Sequence, residues 1–207
     1  IPFDEAACVK ARTRFGIPYD AKVVAFVGNL LPVKNVMSLP SIFSSVSAQY
    51  NSSGSSSRPP LHFIIAGDGK LRKPLESAFN SCAELSQTER VSLSLLGNVP
   101  SEEMPALMNC IDVLVLPSLN EGLPLVCAEA LRCGANVVGS DVGGIAEVIG
   151  HENVVPLGEG FEKNMAEKIV RMLLDKPSQP LPSYISWEKT SEIELSHLQS
   201  AELLGKS

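Results

Sequence analysis

Short apolar runs alternate along this sequence with longer amphipathic stretches, and this alternation limits the fold more than any other feature. Several of the short runs are apolar at nearly every position, which is typical of strands that helices cover on both faces. The alternation predicts an α/β fold, an open parallel sheet with helices on both faces and right-handed crossovers. The predicted strands are 22–28, 61–67, 91–97, 112–118 and 135–140, with a shorter sixth candidate at 153–157.

Apolar residues that recur at spacings of three and four predict helices between these strands. One helix includes residues 36–46, where Pro40 must lie in the first turn or kink the helix. A second helix is predicted over 71–85. A third begins at Ser101, a suitable cap that two glutamates follow. A fourth helix is indicated by an apolar face over 161–173.

The composition indicates a folded globular chain without a nucleic-acid partner. Hydrophobic residues make up 44% and charged residues 19% of the 207 positions, which is ordinary for a globular protein. The net charge is −6, whereas surfaces that coat nucleic acid carry excess positive charge. A phosphate group would therefore be held locally, by backbone amides and one or two cations.

No apolar run approaches the roughly 20 residues that span a bilayer, and the first ten residues do not resemble a signal peptide. The chain begins with Ile1 rather than Met, so we expect a piece of a longer protein, whose absent part would carry any membrane association. The five cysteines form no C-x-x-C pair, which favours buried thiols in a reducing, cytoplasmic compartment. The three histidines lie far apart, so no zinc site is expected.

Two segments differ in composition from the rest of the chain. Residues 51–60 form an insertion rich in serine, glycine and proline, and residues 175–184 contain three prolines and predict an extended linker. After the linker, a helix with Trp187 among its apolar residues is expected to pack outside the sheet. We therefore expect one domain over residues 1–180, followed by a linker and a C-terminal helix over 181–207.

Glycine and polar residues follow the predicted strands, at the edge where parallel sheets bind ligands. Gly28 permits a tight turn, and Lys34 near the next helix start either faces a phosphate or is a solvated loop lysine. Gly67 begins a G-x-G pair that lacks the third glycine of a dinucleotide-binding fingerprint, so this segment is part of a site or only a capped turn. Asn98 and Val99 either contact the edge of a flat base or form a turn.

The segment PSLNEGLPLVCAEALRCG is the most informative. Glu121 lies in a loop after a strand, Gly122 permits close approach of the backbone, and Pro124 suits the first position of a helix. Glu129 lies a turn and a half into that helix among apolar residues, where a carboxylate is costly unless it is hydrogen-bonded. The two hydroxyls of a ribose would be suitable partners. Glu121 alone is explained as an anion at a helix start, but the pair of acids favours a ligand site.

These segments resemble the donor-binding half of a family 4 glycosyltransferase of the GT-B fold. The resemblance covers residues 22 to about 195 and rests on five ordered motifs, VGNLLPVKN, IIAGDGKLRKPLE, LLGNVPSEEMPALMNCIDVLVLPS, the E-x7-E element EGLPLVCAE, and GSDVGGIAEVI. It implies a Rossmann-like sheet, one half of a GT-B fold, whose N-terminal acceptor-binding half is missing from this chain. The C-terminal helix resembles the segment that packs back onto that half.

The resemblance also implies roles for the matching residues. Glu129 would hold the ribose hydroxyls, Glu121 would contact the donor sugar and support positive charge on its ring, and Lys34 would neutralise the leaving diphosphate. Enzymes of this family are retaining and need no metal, and this chain has no D-x-D pair. The other implied donor-binding residues are Gly28, Asn29 and Gly67 after the first strands, Asn98 and Val99 at the base, and Gly122, Leu123, Pro124 and Leu125 at the helix start.

One position departs from the family pattern. The family usually has arginine directly after the glycine of the first loop, where this chain has Asn29. The loss of a charge-assisted partner would weaken phosphate binding by about 1.5–3 kcal/mol. Three explanations of this departure are open. A cation from the missing half compensates for the arginine, the enzyme turns over slowly, or the chain binds its ligand without catalysis.

The sequence therefore predicts the donor domain of a hexosyltransferase that binds a UDP- or GDP-sugar, needs no cofactor and is inactive by itself. One alternative is a non-catalytic nucleotide-sugar-binding module, which the asparagine in the first loop favours. Another is a GT-B sugar-nucleotide epimerase, which fits the E-x7-E element less well. A nicotinamide-binding domain is a more distant alternative, because the glycine fingerprint is incomplete.

Overall fold

The computed structural model describes residues 5–52, 58–82, 85 and 90–175. All strand pairs in this described part are parallel, and they join six strands into one sheet. The strands are β1 (Lys22–Val27), β2 (Leu61–Ala66), β3 (Val91–Gly97), β4 (Val113–Leu116), β5 (Asn136–Ser140) and β6 (Val154–Val155). Their order in the sheet is β3-β2-β1-β4-β5-β6. The predicted Rossmann-like parallel sheet is confirmed.

Seven α-helices lie in the described residues and form two layers. They are α1 (Glu5–Arg14), α2 (Leu39–Ser52), α3 (Arg72–Asn80), α4 (Met104–Met108), α5 (Leu125–Arg132), α6 (Ile145–Ile149) and α7 (Phe161–Asp175). Helix α2 contacts α3 and α7 in one layer, whereas α1, α4, α5 and α6 contact one another in sequence in the other. Short 3₁₀ turns lie at Pro32–Lys34, Val36–Ser38 and His151–Asn153.

The core lies between these layers and the sheet. Strands β2 and β4 are buried at every position, as their largely apolar sequences predict. Aromatic rings join one layer to the sheet: Phe43 of α2 stacks on Phe63 of β2, with 4.5 Å between ring centroids, and on Phe79 of α3, at 5.9 Å. Strand β3 is half-buried along most of its length because it is an edge of the sheet.

Several predicted element bounds are wrong. Helix α3 ends at Asn80 rather than at residue 85. Helix α4 begins at Met104, because residues 101–103 form a turn and the Ser101 hydroxyl lies 3.4 Å from the Glu102 carboxylate instead of capping the helix. Pro40 does lie in the first turn of α2, one of the two places that the sequence allowed.

The outlying segments lie largely beyond the described residues. Helix α2 continues to Ser52 and so includes the start of the predicted insertion at 51–60, whereas residues 53–57 of that insertion are outside the described part. The predicted C-terminal segment over 181–207, with its Trp187 helix, is also outside it.

The order of the strands creates a crevice between β1 and β4. These two strands pair directly, with Val24 beside Val113 and Ala25 beside Leu114. The chain passes from β1 to β2 toward one edge of the sheet and from β4 to β5 toward the other, so the strand order reverses at this point. Ligands of doubly wound sheets bind at this point, outside the carboxyl ends of the strands.

Backbone contacts lock the ends of the first three strands together. The Gly67 amide donates to the Gly97 carbonyl at 2.7 Å, and the Gly28 amide donates to the Ala66 carbonyl at 2.9 Å. Gly67 has φ +136°, and a Cβ built on it would overlap the carbonyl oxygen of Gly28. Only glycine fits at position 67, because any side chain there would force the ends of β1 and β2 apart.

We expect Gly67→Ala to lower the free energy of unfolding by about 2 kcal/mol more than the control Gly158→Ala. Gly158 has a similar φ of +130°, but a Cβ there would have no atom within 4 Å, so the control carries only the backbone strain. Urea unfolding of both variants measures the difference. Equal losses in the two variants would contradict the packing argument.

His62 is a buried titratable residue on β2. Its Nδ1 lies 2.7 Å from the Ser92 hydroxyl, and its ring is almost fully enclosed. Burial, together with the nearby positive charge of Arg12, lowers the pKa of His62 from 6.5 to about 4. The folded chain therefore keeps this imidazole neutral at pH values where the unfolded chain protonates it.

The free energy of unfolding should fall by up to about 3 kcal/mol through His62 as the pH decreases from 6.5 toward 4. The loss arises because the unfolded state binds a proton that the folded state excludes. Urea unfolding at pH 7, 5.5 and 4.5 should show a steeper decline for the native chain than for His62→Gln, which cannot titrate there. Parallel declines would show that His62 is not responsible.

Candidate functional site

The loops after β1 and β4 meet at the crevice in the sheet. The Leu119 amide, in the loop after β4, donates to the Val33 carbonyl, in the loop after β1, at 2.8 Å. This bond brings together two of the segments that carry the predicted site. Because β1 and β4 are adjacent, side chains 87 positions apart in sequence come into contact there.

Lys34 and Glu121 form an ion pair across this crevice. The Lys34 Nζ donates to Glu121 Oε1 at 2.6 Å, and the side chains are 25% and 11% exposed. The interpretation of Lys34 as a solvated loop lysine is therefore wrong. The pair holds a cation and an anion, each partly shielded from water, at the place where a ligand of this fold would bind.

A buried serine completes the arrangement around Glu121. The Ser118 hydroxyl donates to the same Oε1 atom at 2.7 Å, and Ser118 is fully buried. The Ser140 hydroxyl at the end of β5 in turn donates to the Ser118 carbonyl. Neither serine was predicted to belong to the site from the sequence. The sequence does place a serine at the end of each of two apolar strands. One of them, Ser118, lies three residues before Glu121.

A third loop, after β5, packs on the backbone of the Glu121 turn. The Gly144 amide donates to the Gly122 carbonyl at 2.9 Å. A Cβ on Gly143 would overlap the Glu121 carbonyl, and one on Gly144 would lie 2.6 Å from the Gly122 carbonyl oxygen. The paired glycines of the GSDVGGIAEVI motif therefore allow this loop to hold the Glu121 turn in place, a role that was not predicted from the sequence.

Helix α5 begins directly beside this turn. Pro124 is its N-cap, with φ −78° and ψ 92°, rather than its first residue as predicted, and Leu125 is the first residue. The first amides of a helix have no partner within the helix, and its N-terminus attracts anions. Leu123 and Leu125 are 55% and 67% exposed, so the start of the helix is open to a ligand.

Glu129 lies further along α5, on the wall of an open groove between α4 and α5. The groove has a volume of about 450 Å³, and its lining residues are Val99, Ser101, Met104, Pro105, Met108, Glu129, Arg132 and Cys133. Glu129 is exposed, so the expectation of a carboxylate in costly apolar surroundings is wrong: the apolar residues of α5 face the sheet and Glu129 faces the groove. Val99 and Glu129 both line this groove.

The remaining candidates lie at the first three strand ends. Asn29 is exposed, and its carbonyl accepts from the Leu31 amide at 2.9 Å. Asn98 is exposed beside the groove residue Val99 but does not line the groove. Asp68 accepts from the amide of its neighbour Gly69 at 2.7 Å and does not cap α3, which begins at Arg72.

Cys127 lies in α5 beneath the ion pair and is fully buried. Burial, followed by the negative charge of Glu121 and opposed by the positive charge of Lys34, raises the pKa of its thiol to about 12. The shift favours the protonated thiol at neutral pH and so argues against a nucleophilic role for Cys127, because the thiolate is the reactive form.

No group of three or more metal-ligating side chains is found within the described residues. Among the helices of the described residues, none is both long and apolar enough to cross a bilayer.

The chain matches known sequences along most of its length. The family profile described as glycosyl transferases group 1 matches residues 10–186. The D-inositol 3-phosphate glycosyltransferase of Corynebacterium efficiens is 31% identical over 179 residues, covering 84% of this chain and 39% of that protein. The 2-deoxystreptamine glucosyltransferase of Streptomyces kanamyceticus is 28% identical over 173 residues, covering 83% and 41%. The chain thus spans about two fifths of the length of these curated relatives.

Solved structures share the fold. Anabaena HepE in complex with UDP-glucose superposes with a TM-score of 0.68 at 21% identity, covering 100% of this chain and 54% of that one. The lipopolysaccharide-biosynthesis glycosyltransferase WaaG superposes with a TM-score of 0.63 at 22% identity, covering 84% and 44%. The superposed part of this chain therefore corresponds to about half of each of these larger chains.

Removal of the lysine from the ion pair should leave a shielded carboxylate with Ser118 as its remaining partner. We expect Lys34→Ala to lower the free energy of unfolding by about 1–2 kcal/mol, measured in urea. The matched control is Lys163→Ala, whose pair with Glu167 is 3.9 Å long and mostly exposed, and which should cost less than about 0.5 kcal/mol. A smaller loss for Lys34→Ala than for Lys163→Ala would contradict the described ion pair.

Proposed function

Because the chain belongs to the glycosyl transferases group 1 family, we propose that it is the donor-binding half of a retaining family 4 glycosyltransferase that transfers a hexose from a UDP- or GDP-sugar. The observation that supports this proposal most is the Lys34–Glu121 pair at the crevice, beside the start of α5. It brings a cation for a diphosphate and an anion for a sugar ring to one place, at the edge where ligands of this fold bind.

In the proposed site, the diphosphate lies at the start of α5. The amides of Gly122, Leu123 and Leu125 donate to its oxygens, since the start of a helix suits an anion and Leu123 and Leu125 are exposed there. Lys34 is bonded to Glu121, which precedes the start of α5 by four residues. In the proposed site, the Lys34 ammonium neutralises the negative charge that grows on the leaving diphosphate.

Glu121 faces the donor sugar in this arrangement. When the bond between the sugar and the diphosphate breaks, positive charge develops on the ring, and a nearby carboxylate stabilises that charge. A carboxylate shielded from water is more effective than an exposed one, because a lower local dielectric strengthens its interaction. The low exposure of Glu121 and its bond to Ser118 support this role.

The groove between α4 and α5 is the proposed site of the nucleoside. Glu129 accepts hydrogen bonds from the two ribose hydroxyls, while Val99, with Met104 and Met108, provides an apolar surface for the base. Asn98 lies beside this surface and is proposed to contact the base edge. A groove of about 450 Å³ is within the size range of small-molecule sites. The UDP-glucose complex of HepE, which has the same fold, supports UDP as one donor nucleotide.

The acceptor site is proposed to lie on a second domain of the parent protein. The chain spans about two fifths of the curated relatives it matches, which leaves room for a further domain of comparable size. We propose that residues 1–180 are the donor domain and that 181–207 form the linker and the helix that packs on the acceptor domain. The reaction cleft then lies between the two halves, so this chain alone binds donor without transferring sugar.

Thermal unfolding with and without nucleotide tests the assignment of Glu129. We expect UDP or GDP to raise the melting temperature and NAD to leave it unchanged, because a ligand at 100 times its Kd adds about 2.7 kcal/mol of stability. Glu129→Ala should abolish the shift, and the control Glu167→Ala, on α7 in the opposite helix layer, should retain it. A full shift in Glu129→Ala would remove the ribose assignment, and a shift with NAD alone would favour a nicotinamide site.

The asparagine in the first loop supports a second candidate, a module that binds a nucleotide sugar without catalysis. Asn29 is exposed at the end of β1, so an arginine has space there. We expect Asn29→Arg to tighten UDP or GDP binding about tenfold, measured by titration calorimetry, through a charge-assisted contact to phosphate. The control Asn164→Arg makes the identical change at an exposed position of α7 and should have no such effect.

Transfer by the parent protein distinguishes the two candidates. Faster sugar transfer by Asn29→Arg than by the native protein would support an enzyme slowed by the asparagine. Absence of transfer in both forms, with nucleotide binding intact, would support the non-catalytic module. Unchanged nucleotide affinity in Asn29→Arg would contradict the proposed position of the diphosphate.

A further inference from the structure

One carboxylate oxygen in the crevice has two hydrogen-bond donors. Glu121 Oε1 accepts from Lys34 Nζ at 2.6 Å and from the Ser118 hydroxyl at 2.7 Å. The two donors differ in mobility, because lysine has a long flexible side chain, whereas the serine hydroxyl is one bond from Cβ. Lys34 is therefore able to move away from this oxygen, whereas Ser118 is held next to it.

The proposed function requires Lys34 to leave, at least in part. Its ammonium group is the cation assigned to the diphosphate, and the same group neutralises Glu121 while no donor is bound. When a phosphate oxygen takes up the ammonium, Glu121 loses its strongest partner. A partly buried carboxylate without a hydrogen-bond donor is costly and would rotate toward water, away from the sugar ring.

Ser118 is placed to prevent this rotation. It is fully buried and lies two residues beyond β4, so its position is set by the sheet and not by the ligand. Its carbonyl is held by the hydroxyl of Ser140, which is itself fully buried at the end of the neighbouring strand β5. The Ser118 hydroxyl is thus held by the sheet and by Ser140 in a position to donate to the Glu121 carboxylate.

We propose that Ser118 is a positioning residue that keeps the Glu121 carboxylate in its place when Lys34 turns to the diphosphate. Ser118 does not touch the donor, and it acts through Glu121. The inference rests on the proposed function for the event that removes Lys34, but the hydrogen bond itself is a property of the chain without ligand. It identifies Ser118 as necessary for the rate of transfer rather than for the binding of donor.

A structural comparison tests the inference without any nucleotide. Lys34→Ala mimics the departure of the ammonium, and its crystal structure should show the Glu121 carboxylate still bonded to Ser118. In the double variant Lys34→Ala/Ser118→Ala, the carboxylate should occupy a different rotamer that faces solvent. The inference is overturned if Glu121 leaves Ser118 in Lys34→Ala, or if it stays in place in the double variant. This result does not depend on the identity of the donor.

Kinetics of the parent protein with UDP-glucose as the probe provide the functional test. We expect Ser118→Ala to lower kcat tenfold or more and to leave the KM for UDP-glucose within about twofold, because an interaction important in the transition state is lost while donor contacts remain. Ser47→Ala, which removes a buried serine hydroxyl from α2, should change neither constant. An unchanged kcat, or a loss confined to KM, would overturn the inference. If neither native nor variant protein uses any nucleotide sugar, the proposed function fails, and the crystallographic comparison still decides the role of Ser118.

Discussion

The pairing of β1 with β4 is the constraint on which the site depends. It places the loop that carries Lys34 against the loop that carries Glu121, and the resulting ion pair lies where a doubly wound sheet opens to its ligands. Each group depends on the other for charge compensation. A lysine in a free loop would be a solvated cation, and the shielded Glu121 carboxylate would keep the Ser118 hydroxyl but lose its charged partner. Together they make an electrostatically satisfied ion pair, which under the proposed function a diphosphate would reorganise.

Besides the Ser118 and Ser140 hydroxyls, close backbone contacts between the surrounding loops hold this arrangement in place. At the first strand ends, Gly67 admits the carbonyl of Gly28 to a distance that no other residue permits, and after β5 the glycines of the GSDVGGIAEVI motif admit the backbone of the Glu121 turn in the same way. The glycines therefore explain how several chain segments converge on one small region without steric conflict. A glycine near a ligand site is therefore not always a ligand contact. At position 67, glycine is required by the packing of the Gly28 carbonyl, whether or not a donor is bound.

The sequence predicted the strands well because buried parallel strands are uniformly apolar and end at glycine or polar residues. It could not predict which strands are neighbours, so the contact between Lys34 and Glu121 was missed, and with it the role of Ser118. The expected burial of Glu129 was wrong because the helix has an open side that local sequence does not reveal. The predicted start of α4 at Ser101 was wrong because a serine followed by two acids is as suitable for a turn as for a helix cap. Family membership follows from motifs spread over most of the chain, whereas the base, the sugar and the acceptor depend on contacts that those motifs do not specify.

A crystal structure of the protein with UDP tests the central claim most directly. The account predicts the diphosphate at the first turn of α5, with the ammonium of Lys34 moved from its carboxylate partner onto a phosphate oxygen, and the ribose in the groove within hydrogen-bond distance of Glu129. Density for the nucleotide at any other part of the surface, or a bound diphosphate that leaves the ion pair undisturbed and makes no contact with the lysine, would contradict it.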